Sequence, residues 1–138
     1  MMRGYTTVEQ SKKLAEILPI ESADMYYVRK THDFMGNPVD GELSHPKYGN
    51  PNSKHANCIV QNFTTYEKLP CWTLTALLNV IPNELKNNEG YYLTLMNDGE
   101  WFCDYRNIDG DCNKQVVAKN PIDACVKMIE LLHKENLI

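Results

Sequence analysis

The stretch Pro70-Cys71-Trp72-Thr73-Leu74-Thr75-Ala76-Leu77-Leu78-Asn79-Val80-Ile81-Pro82 decides the fold. Thr73 is a suitable side-chain cap, because its hydroxyl can cover a backbone N–H that the first helical turn leaves unpaired. Leu74, Leu77, Leu78 and Ile81 then repeat at helical spacing, so one face of the helix must be buried. Trp72 before the cap and Leu77 just inside the helix can close a hydrophobic staple. Pro82 ends the helix, since proline cannot donate to the preceding turn. A short apolar helix between two prolines in a polar chain supplies a core and almost no chemistry.

On the C-terminal side, Asn97-Asp98-Gly99 is a strong hairpin turn, because these residues tolerate positive φ. It joins a predicted strand over Tyr91–Met96 to one over Glu100–Arg106. Leu93 and Leu95 share one face of the first strand. In the second, Trp101, Cys103 and Tyr105 share one face, and Phe102, Asp104 and Arg106 the other. Asn83 to Gly90 reads as a polar connection. A turn at Asp109-Gly110-Asp111 leads to a third strand over Gln115–Lys119. Asn120 then caps a helix with Pro121 first, where the missing N–H costs least. Ile122, Cys125, Val126, Ile129 and Leu132 line its inner face.

On the N-terminal side, Thr6 with Glu9 or Thr7 with Gln10 forms a capping-box pattern. The helix that follows places Val8, Leu14, Ala15 and Leu18 on one face and ends at Pro19. Met25-Tyr26-Tyr27-Val28 is a β-prone run within Ala23–Lys30. Residues 32–57 form a long irregular loop punctuated by Gly36, Pro38, Gly41, Pro46, Gly49 and Pro51, with Asp40-Gly41 as the tip of an irregular hairpin. Cys58–Phe63 suggests another short strand. The order implies an α+β fold: an antiparallel sheet of three to five strands with about three helices packed on one face.

The chain has 138 residues, which suits a single domain over 1–138 that buries roughly 65–70% of its unfolded surface. Its net charge of −4 and pI near 5.5 argue against a broad phosphate-binding face and so against nucleic acid as a partner. No run approaches the roughly 18 apolar residues of a membrane span, and the N-terminus lacks the apolar core of a secretory signal. The five cysteines then read as reduced thiols in a cytoplasm.

Chemical constellations are sparse. His55-Ala56-Asn57-Cys58 has a pair spacing for a metal, with Cys71 further on, but no second tight pair completes a zinc site. Asp109-Gly110-Asp111-Cys112-Asn113 opens like a calcium loop, yet its glycine is misplaced and Asn120 stands where the closing glutamate belongs. Cys71 precedes a helix N-terminus, which could favour a thiolate, but burial beside Trp72 would make it a small hydrophobe. The hairpin aromatics Tyr91, Tyr92, Trp101, Phe102 and Tyr105 could stack on bases, although Glu100 and Asp104 lie beside them. Exposed parts of Tyr91, Tyr92 and Phe102 could equally seal a dimer. No catalytic set, metal site or cofactor is assigned. The loop over 32–57 holds three of the four histidines, and loops on rigid scaffolds often carry binding. His32, Phe34, His45, Tyr48 and His55 are therefore the candidate binding residues.

Four segments carry a resemblance: Thr7-Val8-Glu9-Gln10-Ser11-Lys12-Lys13-Leu14, Ala23-Asp24-Met25-Tyr26-Tyr27, Pro70 to Leu78, and Asn120-Pro121-Ile122-Asp123-Ala124-Cys125. In this order they resemble a family of short uncharacterised proteins encoded by prophages and mobile elements of gut anaerobic bacteria. The loop before the central helix departs from the family in length and content. With no activity assigned to the family, the resemblance implies a context and not a mechanism. The expectation is a non-enzymatic accessory protein of a phage or mobile element, cytoplasmic, that binds a host or phage protein. The alternative is a small-molecule or nucleotide-binding domain, with hydrolysis as an option, using a pocket between the long loop and the hairpin.

Overall fold

The computed structural model describes residues 3–52 and 64–138. Among them are three α-helices and seven strands in two antiparallel sheets, an α+β architecture. The class and the antiparallel pairing follow the sequence reading; the strands are shared between a three-stranded and a four-stranded sheet. The expected strand over Cys58–Phe63 lies outside the described residues. The chain divides into two compact units, Tyr5–Ala76 and Met1–Gly4 with Leu77–Ile138.

In the first unit, β1 (Met25–His32) is flanked by β2 (Lys47–Tyr48) and β3 (Thr65–Cys71), both antiparallel to it. Both faces of β1 are covered. Met25 and Tyr27 pack with Cys71, Tyr5, Val8, Leu43 and Leu69, while Tyr26 and Val28 pack with Tyr66 on the other side. This explains why Met25 to Val28 reads as an unbroken apolar run rather than an alternating one. The strand β3 is hidden in the sequence, because Glu67, Lys68 and Pro70 interrupt any apolar alternation. Pro70 is tolerated because β3 is a sheet edge.

The helix α1 (Val8–Ala15) starts at Thr7, the second of the two possible caps. Thr7 Oγ1 accepts from Gln10 N at 3.1 Å, and Gln10 Oε1 accepts from Thr7 N at 2.9 Å. Its inner face corrects one expectation: Ala15 is exposed, and Ser11 is buried beside Leu14. Ser11 is admitted because its hydroxyl lies 2.8 Å from Thr6 Oγ1, which satisfies it without water. Thr73 Oγ1 caps α2 (Leu74–Val80) by accepting from Ala76 N at 3.3 Å.

In the second unit the strand order is sequential: β4 (Glu84–Leu85), β5 (Asn88–Asp98), β6 (Glu100–Arg106) and β7 (Cys112–Ala118). The segment read as a polar connection is instead a short hairpin, β4 to β5, in which Glu84 Oε2 accepts from Gly90 N at 2.8 Å. Gly99, with φ of +79°, makes the β5–β6 turn. The helix α3 (Pro121–Lys134) packs against β6 and β7, burying all five residues expected on its inner face. Cys103 and Tyr105 point to this side and are fully buried, and the Tyr105 hydroxyl donates to the Pro82 carbonyl at 2.6 Å. Lys127 Nζ donates at 2.7 Å to the Val117 carbonyl on β7, an edge strand. That contact occupies an acceptor that an intruding strand would need.

Candidate functional site

The segment after β1 is an ordered hairpin arm. Asp33 makes the reversal: its Oδ1 accepts from Met35 N and Asn37 N, both at 2.9 Å. The Asp33 N–H donates to the Asn37 carbonyl at 2.9 Å, and Gly36 takes φ of +82°. The donors on its carboxylate, the Asn37 backbone foremost, hold the Asp33 pKa below the ordinary value. The turn is thus at Asp33–Asn37, which corrects the expected tip at Asp40-Gly41.

From the turn the chain returns along β1. Val39 N donates to the Thr31 carbonyl at 2.9 Å, Gly41 N to Lys30 at 3.2 Å and Ser44 N to Val28 at 2.8 Å. Gly41 is required by closeness: a Cβ there would sit 2.5 Å from the Lys30 carbonyl oxygen. The return ends in β2, where Lys47 pairs with Tyr26 and Tyr48 with Met25. Asn50 Nδ2 then donates to the Ile20 and Ala23 carbonyls at 2.9 and 2.8 Å, fixing the far end of the arm.

The predicted site residues are spread along this arm. His32 closes β1, half-buried, with Nδ1 3.1 Å from Thr31 Oγ1. Phe34 stands on the turn, 62% exposed. His45 is exposed on the return, and Tyr48 in β2 is 83% exposed. His55 lies outside the described residues. Tyr48 is opposite Met25 while Phe34 lies beyond His32. At roughly 3.3 Å per strand residue the seven steps from Met25 to His32 alone separate the two aromatics by about 23 Å. They do not form one pocket. Met35, 70% exposed beside Phe34, is the residue the sequence reading missed. Its signal was the Asp33-x-x-Gly36-Asn37 pattern, which sets a turn and lifts the residues inside it away from the sheet.

Cys71 is buried rather than presented at a helix N-terminus. It ends β3 with no exposed surface, its Sγ 3.5 Å from both Thr6 Oγ1 and the Thr6 carbonyl oxygen. Burial raises its pKa, against the opposing hydrogen bonds of Thr6, so the thiol stays protonated. The segment compared with a calcium loop is an Asn-centred turn: Asn107 Oδ1 accepts from Asp109 N at 3.1 Å and from Asp111 N at 2.8 Å. No helix among the described residues is long and apolar enough to cross a membrane. Comparison with family models, curated proteins and solved structures found no match.

Proposed function

We propose that this is a non-enzymatic accessory protein that acts by binding another protein through the arm formed by residues 33–48. The observation that carries the reading is the turn. Phe34 and Met35, 62% and 70% exposed, project from a backbone that Asp33 holds with two hydrogen bonds. Large apolar side chains on a pre-ordered turn gain free energy when a partner covers them, and lose little conformational entropy in doing so. The phage or mobile-element setting rests on the sequence resemblance alone.

The test compares the intact protein with a Phe34→Ser, Met35→Ser double variant as baits against host and phage lysates. Both substitutions are on exposed positions, so the variant should melt with the parent. A protein retained by the parent and lost by the variant supports the reading. Capture that is equal for both baits, or absent for both, removes it. A metabolite that raises Tm at millimolar concentration, by mass action on the folded state, would support the small-molecule alternative.

A further inference from the structure

The four-stranded sheet has one face against α3 and a second face whose residues follow from the register. On this second face Tyr92 is opposite Arg106, Thr94 opposite Asp104 and Met96 opposite Phe102 across β5 and β6. Phe102 is opposite Val117, and Asp104 opposite Gln115, across β6 and β7. Tyr92 and Met96 are 54% and 41% exposed. In their midst Asp104 is a carboxylate with no exposed surface.

The wiring of that carboxylate is one-sided. Arg106 Nε and Nη2 both reach Oδ2 at 3.0 Å, and Gln115 Nε2 donates to the same oxygen at 3.1 Å. Oδ1 is buried with no hydrogen-bond partner among the described residues. An arginine fork ordinarily grips both oxygens of a carboxylate. Here three donors crowd one oxygen and the other has none, an arrangement that costs the full desolvation of an acceptor.

The cation beside it is largely engaged within the sheet, with three of its five N–H donors placed. Arg106 spends Nε and Nη2 on Asp104 and Nη1 on the Gly110 carbonyl at 3.1 Å. Lys114, the lysine within these strands, pairs with Glu135 at 2.8 Å, and its partner Tyr105 places it on the helix side. At the β5–β6 end the paired residues Asp98 and Glu100 are exposed acids. A strand-borne platform for nucleic acid needs free cations to follow the phosphates, and this face presents acids and an unsatisfied acceptor.

We propose that this face docks a lysine- or arginine-bearing segment of a protein partner, whose cationic N–H completes Asp104 Oδ1 while neighbouring apolar residues cover Tyr92, Met96 and Phe102. The incoming cation reaches the carboxylate by displacing the Gln115 side chain. That side chain belongs to an exposed residue and gives the carboxylate a single hydrogen bond, on Oδ2 and from an uncharged donor, a weaker contact than the ion-paired one that replaces it. The aromatic faces of Tyr92 and Phe102 add attraction for the same cation. The residues of this face belong to the other compact unit from the arm of residues 33–48, and the proposal stands whether or not that arm binds.

The experiment is fluorescence anisotropy on the full chain with a short labelled peptide in which lysine alternates with leucine. The control replaces every lysine by glutamate. The lysine peptide should bind at least about tenfold more tightly than the glutamate peptide. Asp104→Asn should remove about the same factor, and so should the surface pair Tyr92→Ala, Met96→Ala, which does not disturb the buried carboxylate. Phe34→Ser should change nothing. Equal binding of the two peptides, undiminished binding by the Tyr92→Ala, Met96→Ala variant, or preference for a single-stranded oligonucleotide at low salt would each overturn the proposal.

Discussion

The Tyr27 hydroxyl donates a 2.7 Å hydrogen bond to the main-chain carbonyl of Thr6, joining the middle of β1 to the residue that precedes the cap of α1. Thr6 is fully buried and works in three directions. Its N–H donates to the Trp72 carbonyl at 3.0 Å, its Oγ1 accepts from Trp72 N at 3.2 Å, and its carbonyl takes Tyr27. A polar residue is stable there because each of its groups has a partner.

Tyr27→Phe should therefore lower stability by about 1 kcal/mol, the net worth of one buried hydrogen bond, more if the carbonyl is left bare. The ring remains, so its edge-to-face contact with Tyr5 at 6.4 Å is kept. Urea unfolding measures the difference. An unchanged midpoint would mean that Cys71 Sγ alone suffices for the Thr6 carbonyl.

Gly41→Ala should cost about 1–3 kcal/mol, the usual range for forcing an extra methyl group into a packed site. The obstacle is main chain, the Lys30 carbonyl, and cannot rotate aside. Gly4→Ala meets nothing within 4 Å and should be neutral. Thermal unfolding of both variants checks the pair, and equal Tm values would mean that the arm shifts off β1 without loss.

Among the described cysteines, iodoacetamide should label Cys112 first. Cys112 is exposed, whereas Cys71, Cys103 and Cys125 are buried. Cys103 lies against Cys125, and that hydrogen bond together with burial pushes its thiol well above the ordinary value. Peptide mapping after timed labelling reads the order, and the three buried thiols should react only as fast as the chain opens. Rapid labelling of Cys71 in the folded protein would reopen a nucleophilic role for it.

Alkaline pH should destabilise the fold. Burial raises the pKa of Cys71 and of Tyr105, and the Cys125 contact raises that of Cys103, from ordinary values of 9.0, 10.0 and 9.0 respectively. Above those ordinary values the unfolded chain releases protons that the folded chain keeps, so stability falls as pH rises. Below them the contribution is complete. The urea midpoint should hold steady up to about pH 8.5 and then decline steadily. Tyr105→Phe should blunt the decline; an equal slope in parent and variant would contradict the assignment to this residue.

How much of this was legible differed by element. The caps at Thr7, Thr73 and Asn120 and the hairpin at Gly99 rest on contacts within a few residues, and a local pattern records local contacts; the inner face of α3 is legible from apolar residues at helical spacing. The strand β3 was not legible, because an edge strand bonds on one side and can carry Glu67, Lys68 and Pro70. The sequence shows an irregular region over 32–57 that contains Phe34 and Tyr48, but neither the pairing of its first part with β1 nor its reversal at Asp33–Asn37 is legible there. Glycine at position 41 marks a close approach to Lys30 rather than a reversal, and the two uses look alike in a sequence.

The sequence by itself determined the α+β class and the starts of the helices, because capping and apolar periodicity act over one or two helical turns; α1, expected to run to Pro19, ends at Ala15. Only the tertiary structure decided that Ser11 is inside and Ala15 outside, that Cys71 is a fully buried thiol, and that Asp104 is buried with one oxygen satisfied. Each of those outcomes depends on residues far away in the chain: Thr6 beside Cys71, Gln115 beside Asp104. Burial and hydrogen-bond satisfaction are properties of a neighbourhood that exists only once the strands have paired.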